Sequence, residues 1–267
     1  MIDTKIMEQI PIIREDAAQL LNLANEIVSS RRGPYEINDY LGMMADIFLH
    51  KQIGHLRSIC ILVDANQTPD ALIIARSAFE NMILLMWAAY GPPRKNLPRQ
   101  WFLYEIKEGY FNKDQDLDPE NQKWRIQNVK DYEDIILTPR GKEKLHLSKT
   151  LLDSDFTVNK LPSIKNMLET KWLKERILEN ESLKGKEYLI YQILSQLPHG
   201  TPQGMKMIFR HDGNCLSQDG PICKYLGGVA VALGVQSLIR TVYLFHEHFK
   251  LDFHDKLGKF KKEQFHE

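Results

Sequence analysis

Two short stretches carry side chains whose types and spacing point to chemistry. The first is Arg76-Ser77-Ala78-Phe79-Glu80-Asn81, four polar residues inside an otherwise apolar run. Positions 76 and 80 are one helical turn apart, as are 77 and 81, so a helix brings all four to one side. The second is Ser195-Gln196-Leu197-Pro198-His199-Gly200. Pro198 ends a helix there, because it has no N–H for the ladder. That places Ser195 on the last turn and His199 on its exit. An imidazole is the side chain best suited to move a proton near neutral pH. A carboxylate such as Glu80 can orient or balance it, and a guanidinium such as Arg76 can hold an anion. The candidate catalytic or binding set is therefore His199, Glu80, Arg76 and Ser195. A structural reading competes with it. Arg76 and Glu80 would then be an ion pair that fixes helix register, and His199 a helix C-cap.

The element that must position the first stretch is a helix over residues 68–90, TPDALIIARSAFENMILLMWAAY. Thr68 is read as its N-cap and Pro69 as its first helical residue. A helix apolar around most of its circumference is buried. The longest uninterrupted apolar run, 82–90, is well short of a membrane span. Arg76 and Glu80 add to the cost of insertion. The expectation is the core helix of a soluble bundle.

Before it, apolar residues at helical spacing predict helices over about 12–30 and 37–65. The second carries Tyr40, Met43, Met44, Ile47, Phe48, Leu56, Ile59, Cys60 and Val63 as its buried side. His50 and His55 on it point to different faces and make poor joint metal ligands. After Gly91-Pro92-Pro93 the chain turns polar, charged and aromatic. Residues 92–160 read as an inserted helical subregion, with helices at roughly 98–112 and 119–137. A helix over 163–180 and a shorter one over 186–197 follow. A hairpin is expected around Asp212-Gly213. A last long helix over 222–250 carries a smooth strip, Gly227, Gly228, Ala230 and Gly234. The basic tail 256–262 is expected to be frayed.

The fold class is thus all-α: a single helical domain over 1–267, with about 6–8 helices around a buried central helix. The 267 residues carry no net formal charge, with 35 basic and 35 acidic side chains. That gives no broad footprint for nucleic acid or for an anionic membrane. Three cysteines without metal-like spacing suit a reducing, cytoplasmic setting. The N-terminus lacks a secretory pattern. No phosphate loop, zinc motif or nucleophile elbow is present, so no cofactor and no metal are expected.

The pair Arg76-x-x-x-Glu80, followed by Ser195-x-x-x-His199-Gly200, resembles a bacterial all-helical family known only as a domain of unknown function. The resemblance spans about residues 37–250 with a divergent middle. It implies that the four polar residues belong to one site, which spacing alone does not show. The helical class is also similar to HEPN ribonucleases and abortive-infection proteins, which use an Arg followed five to seven positions later by His. Arg240 and His246 match that spacing, but six residues apart on a helix they face different sides. Two functions compete. The chain is a module with a buried polar cluster that binds a protein partner or a small anionic ligand, in a defence or regulatory setting, with RNA only weakly supported. Alternatively it is a HEPN-like ribonuclease or other hydrolase acting on a phosphate-bearing substrate through His199, Glu80 and Arg76. Whether it is an enzyme stays open at this level.

Overall fold

The computed structural model describes residues 4–31, 36, 39–93, 97–101, 161–178, 195, 210–212, 215–217 and 221–264. Its elements are α1 (Thr4–Ser30), α2 (Tyr40–Asp64), α3 (Thr68–Ala89), α4 (Ile164–Leu168), α5 (Lys171–Leu178), β1 (Arg210–Asp212), β2 (Cys215–Ser217), α6 (Pro221–Phe249) and α7 (His254–Gln264). The architecture is an all-α bundle with one small hairpin. α6 packs against α3, α2 and α1, and α2 packs against α3. In the hairpin Arg210 pairs with Ser217 and Asp212 with Cys215, antiparallel as expected.

The core follows from the apolar faces. Ala17, Leu20, Ala24 and Ile27 of α1 are fully buried, as are Met44, Leu49, Leu56 and Ile59 of α2. α3 contributes Ala71, Ala75, Ala78 and Ile83, and α6 Ala230, Val231, Leu238, Val242 and Phe245. One expected core residue of α2 is misplaced: Ile47 is exposed, and Ala45 and Ile53 are buried instead. Small residues of α6 let α2 come close. A Cβ on Gly234 would lie 2.9 Å from Ile59 Cδ1 and 3.0 Å from Leu56 Cδ1. α2 and α3 form an antiparallel hairpin across Ala65-Asn66-Gln67. Asn66 takes φ 58°, a left-handed geometry that Asn tolerates better than most residues. There the Gln67 amide donates to the Leu62 carbonyl at 2.7 Å.

Three local expectations are corrected. Thr68 is not the N-cap of α3; that position is Gln67, which makes no side-chain cap bond. Thr68 is buried, and its hydroxyl donates instead to the Cys223 carbonyl at 3.2 Å, tying the start of α3 to the start of α6. The helix expected over 163–180 is broken after Leu168. Ser163 caps α4 through the Asn166 amide at 3.2 Å. The Thr170 hydroxyl then bonds back to the Met167 carbonyl at 2.6 Å, and α5 restarts at Lys171. The break lets Trp172 donate its indole N–H to the Trp87 carbonyl of α3 at 3.2 Å. Finally, the C-terminal stretch is not frayed. It forms α7, whose Leu257 and Phe260 are buried.

α3 and the 223–249 part of α6 are both long and apolar enough to cross a membrane, with mean hydropathy 1.4 and 1.5. Within the fold their most apolar windows are 61% and 72% buried, packed on one another and on α2. Residues 92–160, expected from the sequence to be an inserted subregion, lie outside the described residues apart from 92, 93 and 97–101. Residues 97–101 are helical, with Leu97 buried.

Candidate functional site

On α3 the polar row occupies the side turned away from the core. Arg76, Ser77, Glu80 and Asn81 are all half-buried, while Ala75, Ala78, Phe79 and Met82 are sealed. The row therefore sits at the rim of the bundle, not in its interior. Arg76 Nε donates to Glu80 Oε1 at 2.8 Å, with the two side chains 17% and 33% exposed. Solvent screens such a pair. The Arg-before-Glu order is also the weaker i,i+4 arrangement, so its contribution to stability is only about 0.3–0.5 kcal/mol. A need for helix support does not account for it.

α2 completes the rim. Lys51 Nζ donates to Asn81 Oδ1 at 3.4 Å, and Gln52 Nε2 donates to the Ala78 carbonyl at 2.7 Å. These bonds fix the orientation of both amides, because the reversed Asn81 would set its NH2 against an ammonium. They leave Asn81 Nδ2 and Gln52 Oε1 buried with no hydrogen-bond partner. His55, one turn beyond Gln52, has a buried Nδ1 in the same condition. Burial pushes the His55 imidazole below its ordinary value, and the Lys51 charge adds to this. His55 is thus a neutral ring held beside a cation. A buried polar atom without a partner costs about 1–3 kcal/mol, so three along one helix seam call for an explanation.

Lys51 and Gln52 were not singled out from the sequence, and His55 was weighed only as a metal ligand with His50. The signal was in α2 itself: Gln52 interrupts the buried row Phe48, Gln52, Leu56, where an apolar residue belongs. His50 and His55 do part company as expected. His50 is exposed and lies 3.5 Å from Asp46.

Of the four site residues expected from sequence, Arg76 and Glu80 are in contact. Ser195 is helical and half-buried. His199 lies outside the described residues, so its distance from Glu80 is not part of this geometry. The Arg240–His246 spacing does not make a site. Arg240 Nη1 lies against the Met86 sulfur at 4.0 Å, whereas His246 is buried against His254.

A second polar cluster joins the end of α1, the start of α2 and the end of α6. His248 Nε2 and Asp39 Oδ1 are 2.8 Å apart, and Asp39 also caps α2 by accepting from the Gly42 amide at 2.9 Å. A Cβ on Gly42 would lie 2.1 Å from Asp39 Oδ2 and 2.8 Å from His248 Nε2, so the pair depends on glycine there. Burial raises the Asp39 pKa. The His248 and Gly42 hydrogen bonds and the charges of His248 and Arg31 outweigh that and hold it below the ordinary carboxylate value. Arg31 lies 3.5 Å from Asp46 and 4.8 Å from the Phe249 ring centroid. Among the described residues no group of three or more His, Cys, Asp or Glu side chains has the arrangement of a metal site.

Residues 47–215 match the model of a family of unknown function, DUF5677. The match takes in α2 from Ile47, all of α3 and the Ser195–His199 stretch. The chain belongs to DUF5677. No curated protein and no solved structure matches it. Membership of DUF5677 agrees with the resemblance read from Arg76, Glu80, Ser195 and His199, and it shows no likeness to HEPN ribonucleases. The α2–α3 rim falls inside the DUF5677 region, while Asp39 and His248 fall outside it.

Proposed function

We propose that this chain is a cytoplasmic helical binding module, in a defence or regulatory setting, whose ligand is a small anion seated on the α2–α3 rim. One observation carries the reading. The Lys51 ammonium is met by a neutral amide oxygen, that of Asn81, and beside it two buried polar atoms, Asn81 Nδ2 and His55 Nδ1, lack partners. A phosphate or carboxylate oxygen would accept from Lys51 and from either of those nitrogens. Arg76, held in place by Glu80, supplies a second cation on the same face. Ser195 and His199, at the far end of the family region, are the further residues assigned to this ligand by the motif they share with Arg76 and Glu80.

The test is thermal unfolding of the full chain with inorganic phosphate, pyrophosphate and a mononucleotide, each titrated separately. Ligand at about a hundred times its Kd should stabilise the parent by about 2.7 kcal/mol. The gain should vanish in Lys51→Gln and shrink in Arg76→Gln. His199→Ala should lose the ligand response while keeping its midpoint. If no anion shifts the parent, or Lys51→Gln responds like the parent, the reading is wrong. A steep drop in the His199→Ala midpoint without ligand would assign that histidine to the fold instead.

A further inference from the structure

The end of α6 carries two histidines with opposite surroundings. His248 faces a carboxylate, Asp39. His246 faces another histidine. Its Nε2 lies 3.3 Å from Nδ1 of His254, the first residue of α7, and the rings meet edge to face with centroids 4.3 Å apart. His246 is only 1% exposed, and its Nδ1 is sealed with no partner. At this spacing the neutral pair shares one hydrogen, one ring donating to the lone pair of the other. The first proton taken up can sit on an outer nitrogen and keep that bond; once both rings are cationic, two N–H groups face each other. The new charge then has no hydrogen-bonded carboxylate at His246.

Among the described residues the charges that bear on His246 are few. Glu247 on its own helix and Asp252 in the following turn favour protonation, but burial and His254 oppose it more strongly and hold the imidazole below its ordinary value. Glu26 of α1 is engaged by Lys256 of α7. Arg31, just after α1, Asp39, the N-cap of α2, and Asp46 of α2 belong to the His248 cluster.

The helix that His254 begins is lightly held. α7 has 11 residues, too short to persist alone in water. It is anchored by buried Leu257 and Phe260, by the Lys256–Glu26 pair and by the Tyr243 hydroxyl, which donates to the Leu257 carbonyl at 2.9 Å. Its hinge is at His246 as well: the His246 carbonyl accepts from the Leu251 amide at 3.1 Å, next to Lys250 at φ 51°.

We propose that α7 is an acid-released latch: protonation of both rings of the His246–His254 pair undocks α7 and bares the apolar surface under Leu257 and Phe260. The His248–Asp39 bond involves no residue of α7, so the α2–α6 junction holds while α7 leaves.

Hydrogen exchange of the full chain, corrected for intrinsic rates, tests this between about pH 8 and about pH 5. Protection of the α7 amides should fall about tenfold or more on acidification, with α2 and α3 unchanged, as expected for a sub-global opening. His246→Leu, which keeps the volume and removes the proton site, should abolish the pH response. His254→Gln, at an exposed position, should abolish it too, and decides the matter if His246→Leu fails to fold. A pH-independent α7 in the parent, or an equal acid response in the folded variants, would overturn the proposal.

Discussion

At the scale of single residues, polar side chains in this protein differ in what they cost and what they supply. Arg76 and Glu80 form a good bond at 2.8 Å, yet at the rim it is worth little to stability. Asp39 is the opposite case. It caps α2, bonds His248 and is mostly shielded, with 17% of its side chain exposed. Asp39→Ala should therefore lower stability by about 1–2 kcal/mol, combining a lost cap with a lost ion pair. Asp39→Asn keeps the capping oxygen and should lose clearly less. Urea unfolding midpoints of the two variants check this. Equal losses would mean that the charge on His248, not the cap, is what Asp39 serves.

Elements here are decided by how closely their backbones approach. The α2–α6 contact runs over Gly234, where a Cβ would come within 3.0 Å of side chains on both Leu56 and Ile59. Gly234→Val has to displace both. It should cost about 1–3 kcal/mol, the usual range for overpacking, although valine is the better helix former of the two. A denaturant series on the purified variant measures it. An unchanged or raised midpoint would show that α2 and α6 are not in contact as described. Such approaches were legible in outline, since a strip of small residues on a long apolar helix announces a close neighbour. Which helix arrives there was not, because nothing local to α6 names α2.

For the whole molecule, buried titratable groups set the pH range of stability. His55 and His246 both lie below their ordinary value. The unfolded chain takes up their protons first, so their contribution is complete above about pH 6.5 and is lost as pH falls. Burial holds the Cys60 thiol above its ordinary value, with the nearby Asp64 acting in the same direction and Arg14 against it. Its contribution is complete below about pH 8.5 and is lost as pH rises. Asp39, held low, contributes above about pH 3.9 and gives a second acid loss only below that. The thermal midpoint should therefore show a plateau between about pH 6.5 and about pH 8.5, with a shoulder on the acid side. A midpoint that keeps rising from pH 7 towards acid would contradict this assignment.

The amino-acid sequence alone determined the helical class, the spans of α2, α3 and α6 to within a few residues, the turn at Asn66, the hairpin and the polar row on α3. Each of these rests on signals within a few residues: apolar periodicity, Gly and Pro breaks, one-turn spacing. The family pattern was legible for the same reason, as two short motifs. Tertiary structure alone decided that the polar row lies at the rim, that Thr68 bonds to Cys223, that α7 packs on the core and that Asp39 meets His248 across 209 positions. Contacts between residues so far apart leave no periodic trace. They exist because two faces, each merely compatible with burial, happen to be the pair that the bundle brings together.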